Sequence, residues 1–222
     1  MPIAILAAVM AVTTFAQADT DAKILSAPSV TIPETVFLAG VGGKLVFSVS
    51  VNDAGDVTNL RLLAGPAWPC AREPKDEVRE ATKIVRDALA ATKFSPQLKN
   101  GKPVDAELRL TYPIKRPSEP GPGSVREGRP KKINRGIIQG LAKSLPKPAY
   151  PPEARANRAA GEVGIEIQVD LQGRVTSAGA VSGHPDLQRA ARDAACLARF
   201  SPTILDKEPV EVTGVMLYNF VP

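Results

Sequence analysis

The stretch GEVGIEIQVDLQGRV, residues 161–175, decides the fold of the C-terminal part of this 222-residue chain. Apolar residues occupy every odd position from 163 to 169 and alternate with small or polar residues. This period of two predicts a strand with one buried face. Asp170 and Gly173 follow in a short turn, where Gly173 is free to adopt a positive φ. A second strand is expected to begin at Val175, so the stretch predicts a β-hairpin.

A helix and a last strand are predicted downstream of this hairpin. Between Asp186 and Arg199, apolar residues recur at helical spacing and form one stripe: Leu187, Ala190, Ala191, Ala194 and Leu197. Pro202 cannot continue a helix and marks its end. A final strand is expected over Val210 to Phe220. The order strand, hairpin, strand, helix, strand predicts an α+β fold, with a small antiparallel sheet and a helix packed on one face.

The N-terminal half of the chain carries the same pattern. The stretch GKLVFSVSVNDAGDV, residues 43–57, aligns with residues 161–175. The tripeptide Phe-Ser-Pro recurs at 94–96 and 200–202, and strands Val104 to Ile114 and Val210 to Phe220 follow it. The first copy carries 12 extra residues between its second strand and its helix. The chain is therefore predicted to contain two copies of one module.

The first residues predict export from the cytoplasm. Residues 3–16 are almost wholly apolar and uncharged, and Ala16-Gln17-Ala18 provides the small residues of a cleavage site. We expect a signal peptide over 1–18 that is cleaved after Ala18. The alternative is a buried strand or helix at the N-terminus. An uncleaved segment would leave the mature protein anchored at its N-terminus.

A basic, proline-containing linker is predicted between the modules, over 115–145. Nine basic and two acidic residues lie between Lys115 and Lys147. Contact with an anionic envelope surface, such as phospholipid or peptidoglycan, is one interpretation of this charge. A solvated tether is the other interpretation. A short helix is expected over Ile133 to Leu145. Nucleic acid is not an expected partner, since a secreted chain with 5% aromatic residues has little to stack on bases.

The residue types that carry most enzyme chemistry are scarce. One histidine and two cysteines are too few for the usual zinc sites, so no metal or cofactor is expected. His184 precedes Pro185 and is interpreted as a turn residue before a helix. A hydrolase that uses His184 is the weakest hypothesis, and we predict that the protein is not an enzyme.

The two cysteines form a predicted disulfide. On a helical wheel Cys196 lies opposite Leu187, on the outward side that also holds Arg189, Arg192 and Arg199. A cysteine on a polar face in an oxidising compartment is expected to be paired. Cys70 is its intramolecular partner, and this bond would join the two modules. An intermolecular disulfide and a free thiol remain open alternatives.

The C-terminal module resembles the C-terminal domain of the TonB family over residues 146–221. The motifs that carry this resemblance are Tyr150-Pro-Pro-Glu-Ala-Arg155, Asp170-Leu-Gln-Gly-Arg-Val175, Ser182-Gly-His-Pro185, Arg199-Phe-Ser-Pro202 and Tyr218-Asn-Phe220. Residues 40–114 look like a degenerate second member. The predicted organisation is a signal peptide at 1–18, a degenerate TonB-like domain at 28–114, the linker at 115–145 and a TonB C-terminal-like domain at 146–222.

The resemblance implies a periplasmic protein that supports TonB-dependent outer-membrane transport. In the family this domain adds a short segment of an outer-membrane receptor to its sheet edge as an extra strand. Carried over to this sequence, the partner-binding residues are Tyr150, Pro151, Arg155, Val210, Val212, Val215, Leu217, Tyr218 and Phe220. Energy transducers of the family keep a membrane helix with a histidine, and residues 1–18 have none. We therefore expect a TonB-like binding protein without the connection to the motor.

One rival hypothesis stays open. The protein could be a structural cell-envelope component whose two modules pair with each other and whose linker contacts wall or membrane. Edge strands can also pair between copies of the chain, which allows a homodimer.

Overall fold

A computed structural model of the chain describes residues 19–115 and 131–221. The expected signal peptide at 1–18 and residues 116–130 of the expected linker lie outside the described residues. Within the two described ranges, no helix is both long enough and apolar enough to cross a membrane.

Twenty short elements make up the described fold. The N-terminal region contains, in chain order, β1 (Ile24–Ser26), α1 (Glu34–Leu38), β2 (Gly43–Val51), β3 (Val57–Ala64), β4 (Trp68–Pro69), α2 (Lys75–Ala90), β5 (Lys93–Phe94), β6 (Gln97–Lys99), β7 (Lys102–Val104) and β8 (Ala106–Ile114). The C-terminal region contains β9 (Lys132–Ile137), a 3-10 helix (Gln139–Leu141), β10 (Ala142–Ser144), α3 (Pro152–Ala156), β11 (Gly161–Val169), β12 (Val175–Ala180), α4 (Pro185–Leu197), β13 (Arg199–Phe200), β14 (Thr203–Leu205) and β15 (Glu208–Phe220). These small sheets and few helices confirm the α+β prediction.

Strand β11 is the centre of the C-terminal sheet. It pairs antiparallel with β12 on one side and with β15 on the other, from Gly161 opposite Phe220 to Val169 opposite Val212. Val163, Ile165 and Ile167 are completely buried, because alternate side chains of a strand point to the same face. The alternation seen in the sequence is therefore the core side of this sheet.

The hairpin between β11 and β12 depends on two residue types. A carboxylate oxygen of Asp170 accepts the main-chain N–H groups of Gln172 at 3.0 Å and Arg174 at 2.8 Å. Burial acts to raise the pKa of Asp170, but hydrogen bonds from Arg174 and Gln172 outweigh it and lower that pKa. Gly173 has a φ of +80°, and a Cβ there would lie 2.1 Å from the carbonyl oxygen of Phe200. Only glycine fits this turn without displacing the chain at Phe200.

Helix α4 covers the buried face of this sheet. His184 is its N-cap, and the Nδ1 atom of His184 accepts the N–H of Asp186 at 3.3 Å. Pro185 occupies the first turn, where main-chain N–H groups have no acceptor within the helix, so the missing N–H of proline costs no hydrogen bond. Leu187, Ala191 and Ala195 are fully buried. The small alanines let the helix approach the sheet closely, so this face excludes water.

The N-terminal region builds its own core. Strand β2 lies between β3 and β8 in a three-stranded antiparallel sheet. Leu45, Phe47 and Val49 of β2 are fully buried, and Ala81 and Val85 of α2 join the same cluster. Strand β2 is thus the central strand between β3 and β8, just as β11 is the central strand between β12 and β15. The duplication itself stays a prediction.

A disulfide joins the two regions, as predicted. Cys70 and Cys196 are bonded, with their Cα atoms 5.5 Å apart. Next to this bond, β4 pairs antiparallel with β12, placing Trp68 opposite Ala178. The N–H of Cys70 donates to the carbonyl oxygen of Thr176 at 2.9 Å. The N-terminal region therefore covers the outer edge of β12.

The helical wheel was wrong about Arg192. This side chain is 6% exposed, whereas the sequence placed it on an outward, solvent-facing side of α4. Its guanidinium lies 4.2 Å from the centroid of the Trp68 ring. It donates to the carbonyl oxygens of Trp68 at 3.1 Å and Pro69 at 3.0 Å. Burial lowers the pKa of Arg192 from its usual value. That side of α4 is covered by β4, a contact the helix alone does not encode.

The short helix expected over Ile133 to Leu145 is also wrong. Residues 132–137 form strand β9, and only Gln139–Leu141 form a single 3-10 turn. Gly136 has a φ of +64°, which interrupts a right-handed helix. The main-chain groups of β9 find partners on β15 instead, so tertiary pairing outweighs the local preference.

Candidate functional site

The predicted partner-binding strand, β15, alternates between buried and half-buried side chains. Four of its predicted binding residues are 5% exposed or less: Val210, Val212, Tyr218 and Phe220. Their side chains belong to the interior of the domain. Val215 and Leu217 lie on the other face and are half-buried. A partner that adds a strand uses main-chain groups, so what matters at this site is the edge of β15.

The hydrogen bonds of β11 show which residues of β15 face that edge. Gly164 accepts from Val181 at 2.9 Å and donates to Ser182, so its main chain faces β12. Main-chain direction alternates along an antiparallel strand, and odd-numbered residues of β11 therefore face β15. Through the register, even-numbered residues of β15 face β11 and its odd-numbered residues face outward. The bond from the N–H of Ile138 to the carbonyl oxygen of Val215, at 3.1 Å, agrees with this assignment.

The chain itself occupies the first half of this outer edge. Strand β9 runs parallel to β15 and places Lys132 opposite Glu211 and Asn134 opposite Thr213. The N–H of Glu211 donates to the carbonyl oxygen of Lys131 at 2.9 Å. The edge that was expected to be open is thus paired on both sides from Glu211 to Val215. The segment that pairs with it is the second half of the expected linker.

Ile138 fixes β9 in place next to Gly214. The Ile138 side chain is 1% exposed, and a Cβ built at Gly214 would lie 2.7 Å from its nearest carbon atom. Glycine at 214 therefore leaves a space on the sheet that one aliphatic side chain fills. In contrast, β9 is exposed at every position except a half-buried Ile133. The strand is held mainly by its main chain and by this single anchor beyond its end.

The predicted Tyr-Pro segment lies at the far end of β15. The Tyr150 hydroxyl donates to the carbonyl oxygen of Ala159 at 2.6 Å, and its ring packs edge-on against Phe220 with 5.8 Å between centroids. The guanidinium of Arg155 lies 5.4 Å from the Tyr150 ring centroid. Pro151 caps α3. The structure thus brings together Tyr150, Arg155 and Phe220, three of the predicted site residues, at one corner of the sheet.

Strand β15 extends past β9 toward this corner. The register of β9 on the outer side of β15 ends at Val215. Asn219 is exposed there and faces outward by the alternation given above. The candidate site is therefore one continuous edge, with one half carrying β9 and the other half ending at Tyr150 and Arg155.

The buried side chain of Tyr218 lies under this edge. Its hydroxyl is buried and makes no hydrogen bond to any described residue. Burial raises the pKa of Tyr218 to about 12. The group points into the core and is not placed for proton transfer with a ligand, so it acts as packing.

Residues 19–115 and 131–221 contain no cluster of three or more histidine, cysteine or acidic side chains that could hold a metal ion. A shallow cavity at the junction is lined by Trp68, Glu73 and Arg189, among others. Arg189 is already paired with Glu73 at 2.7 Å. The arginines at this junction therefore join the two regions.

Comparison with known proteins gives one family. Residues 146–222 match the model of the Gram-negative bacterial TonB protein C-terminal family. The solution NMR structure of the Pseudomonas aeruginosa TonB CTD is similar at 20% identity, over 46% of this chain and 93% of that chain, with a TM-score of 0.34. No curated protein matches the chain. The family match begins just before Tyr150 and includes all of β15, so residues 146–222 of this chain are similar to the TonB C-terminal family.

Proposed function

We propose that this protein is a periplasmic interaction protein whose TonB C-terminal domain binds a segment of an outer-membrane protein by strand addition to β15. It would act in support of TonB-dependent outer-membrane transport and carry out no catalysis. One observation carries the proposal: the outer edge of β15 holds a parallel strand, β9, in register. An edge that accepts one extended segment through main-chain bonds can accept another of similar shape.

Binding along the whole edge requires that β9 leave. Most of the side chains of β9 are exposed, so its departure uncovers little apolar surface apart from Ile133 and Ile138. A partner would replace the same main-chain bonds and could fill the space beside Gly214. Asn219, which is exposed near the end of β15, offers a first contact that does not need β9 to move. Partner binding is then a competition between two strands for one edge.

A structural envelope role is the second candidate. It is favoured by the disulfide between the two regions, by β4 on the outer edge of β12 and by β9 on the first half of the outer edge of β15. In this role β9 would be a permanent strand. The two candidates differ in whether β9 can be exchanged.

Two proline variants test the exchange. Lys131 accepts the N–H of Glu211, so in a parallel ladder the next N–H that faces β15 is that of Ile133. Ile133→Pro removes this donor and weakens β9. Asn134→Pro is the matched control, because the N–H of Asn134 points away from β15.

The full-length protein and both variants are incubated with solubilised outer membranes of the source bacterium, and bound receptors are identified by mass spectrometry. We expect Ile133→Pro to recover more TonB-dependent receptor than the wild type or Asn134→Pro. A synthetic peptide of residues 131–138 should compete with the receptor. Equal recovery by all three proteins, or no effect of the peptide, would falsify strand addition at β15.

A further inference from the structure

Among the described residues, the three-stranded sheet of the N-terminal region has no strand on the outer side of β8. In the part of the chain that the structure describes, β2 is the one strand that pairs with β8. Its counterpart in the C-terminal sheet, β15, carries β9 on the equivalent side. Glu107, Arg109 and Thr111 of β8 are exposed. An edge strand of nine residues without a covering segment is a template for pairing with another chain.

The main-chain groups of alternate β8 residues point out of the sheet. Beyond the end of β2, the N–H of Asn52 donates to the carbonyl oxygen of Asp56, so even-numbered residues of β2 face β3 and odd-numbered ones face β8. In the register, Val49 lies opposite Leu108 and Phe47 opposite Leu110. Even-numbered residues of β8 therefore face β2, and the main chains of Glu107, Arg109 and Thr111 face outward.

A proline in β8 supports this assignment. Pro113 lies opposite Lys44 of β2 and has an odd number, so its nitrogen faces outward. A proline is tolerated in a sheet where its missing N–H leaves no ladder bond unmade. Within the described residues, no main-chain hydrogen bond uses the outward groups of Glu107, Arg109 or Thr111.

The charges of this edge are complementary to a second copy of itself. In an antiparallel pair centred on Leu108, Glu107 of each copy lies opposite Arg109 of the other, which gives two opposite-charge pairs on one face. On the other face, Leu108 lies opposite Leu108 and Ala106 opposite Leu110. Because residues 107 and 109 both face outward, these are also hydrogen-bonded pairs, and they contribute about four main-chain bonds.

Neighbouring registers are less favourable. Centring the pair on Arg109 places two arginines directly opposite each other, and centring it on Glu107 does the same with two glutamates, which is destabilising. The other outer strand of this sheet, β3, carries Arg61 as its one charged residue and offers no opposite-charge pair with itself. Leu108 and Leu110 are half-buried, so pairing would also cover apolar surface beside the core of α2.

We propose that the protein forms a homodimer through antiparallel pairing of β8 with β8 of a second copy, centred on Leu108. The two N-terminal sheets then form one continuous sheet of six strands. The contact leaves β15 untouched, so this proposal does not depend on the function proposed for the C-terminal domain.

Sedimentation of the full-length, oxidised protein tests the pairing through charge reversal. Glu107→Arg and Arg109→Glu each place like charges opposite each other twice, and each should raise the dimer dissociation constant at least about tenfold. An equimolar mixture of the two variants places opposite charges at every pair and should restore dimers. Arg61→Glu on β3 is the matched control and should leave the dissociation constant unchanged.

A separate variant removes the main-chain contact. Arg109→Pro deletes an outward N–H that β2 does not use, together with the hydrogen bond from the Arg109 guanidinium to the carbonyl oxygen of Val181 at 3.4 Å. Circular dichroism should show the same fold, and the dimer should be lost. The proposal is overturned if the wild type is monomeric up to about 100 μM, where micromolar association is visible. It is also overturned if the mixed variants fail to associate, or if Glu107→Arg and Arg61→Glu behave alike.

Discussion

Opening the Cys70–Cys196 bond is expected to cause a large loss of stability. The two residues are 126 positions apart, and the loop-entropy relation assigns about 5 kcal/mol to closing a loop of that length. The bond also holds β4 against β12, next to the stack of Arg192 on Trp68. Replacing both cysteines by serine should lower the free energy of unfolding by an amount close to this value. For a chain of this size that corresponds to a fall in Tm of at least about 10 °C.

Unfolding in guanidinium chloride, followed by tryptophan fluorescence, measures the loss of unfolding free energy. Trp68 is the single tryptophan of the chain and lies at the junction of the two regions, so its emission reports whether the junction is intact. The oxidised wild type, the reduced wild type and the double serine variant are compared. Reductant should shift the wild type to the position of the variant and leave the variant unchanged. If the oxidised wild type and the variant differ by less than about 1 kcal/mol, the bond does not act by restricting the unfolded chain.

Two further substitutions address buried polar groups. Arg192→Ala removes two hydrogen bonds to the carbonyl oxygens of β4 and the stack on Trp68, and should cost about 3 kcal/mol in thermal unfolding; an unchanged Tm would show that the junction does not need it. Tyr218→Phe removes a buried hydroxyl that has no partner among the described residues, and should stabilise the protein by about 1 kcal/mol. The pKa of Tyr218 is raised from 10.0 to about 12, so the folded state favours the neutral phenol. The stability that this pKa difference contributes is fully present below pH 10 and is lost as the pH rises toward 12. Between pH 10 and 12, the free energy of unfolding should therefore fall less steeply for Tyr218→Phe than for the wild type. Parallel curves for the two proteins would contradict the raised pKa of Tyr218.

Elements with a strong side-chain pattern were predictable. The alternation in β11 and the small-residue stripe of α4 each report the buried face of a single element, so they can be identified without knowing the rest of the fold. The α+β class follows from the order of such elements. The Cys70–Cys196 pair follows from the expectation that a cysteine on a polar helix face is paired in an oxidising compartment. The partner-binding list for β15 stays a prediction, and the side chains of Val210 and Val212 on that list are buried.

Contacts made through the main chain were not predictable in the same way. Strand β9 has no alternation and is almost wholly exposed, yet it covers half of the edge on which the binding hypothesis rests. The burial of Arg192 depends on β4, more than a hundred residues away in the chain. Neither contact is recorded in the side-chain pattern of the element that it covers, which is β15 in the first case and α4 in the second.

The sequence by itself determined which segments become strands and helices and which of their faces are buried, because side-chain periodicity records burial one element at a time. Only the tertiary structure decided which sheet edges are covered, by β4 and β9, and which have no partner strand among the described residues, at β3 and β8. The physical reason is that every residue except proline carries the same main-chain donor and acceptor. Edge pairing is therefore set by what the fold brings alongside a strand and leaves little trace in its side chains.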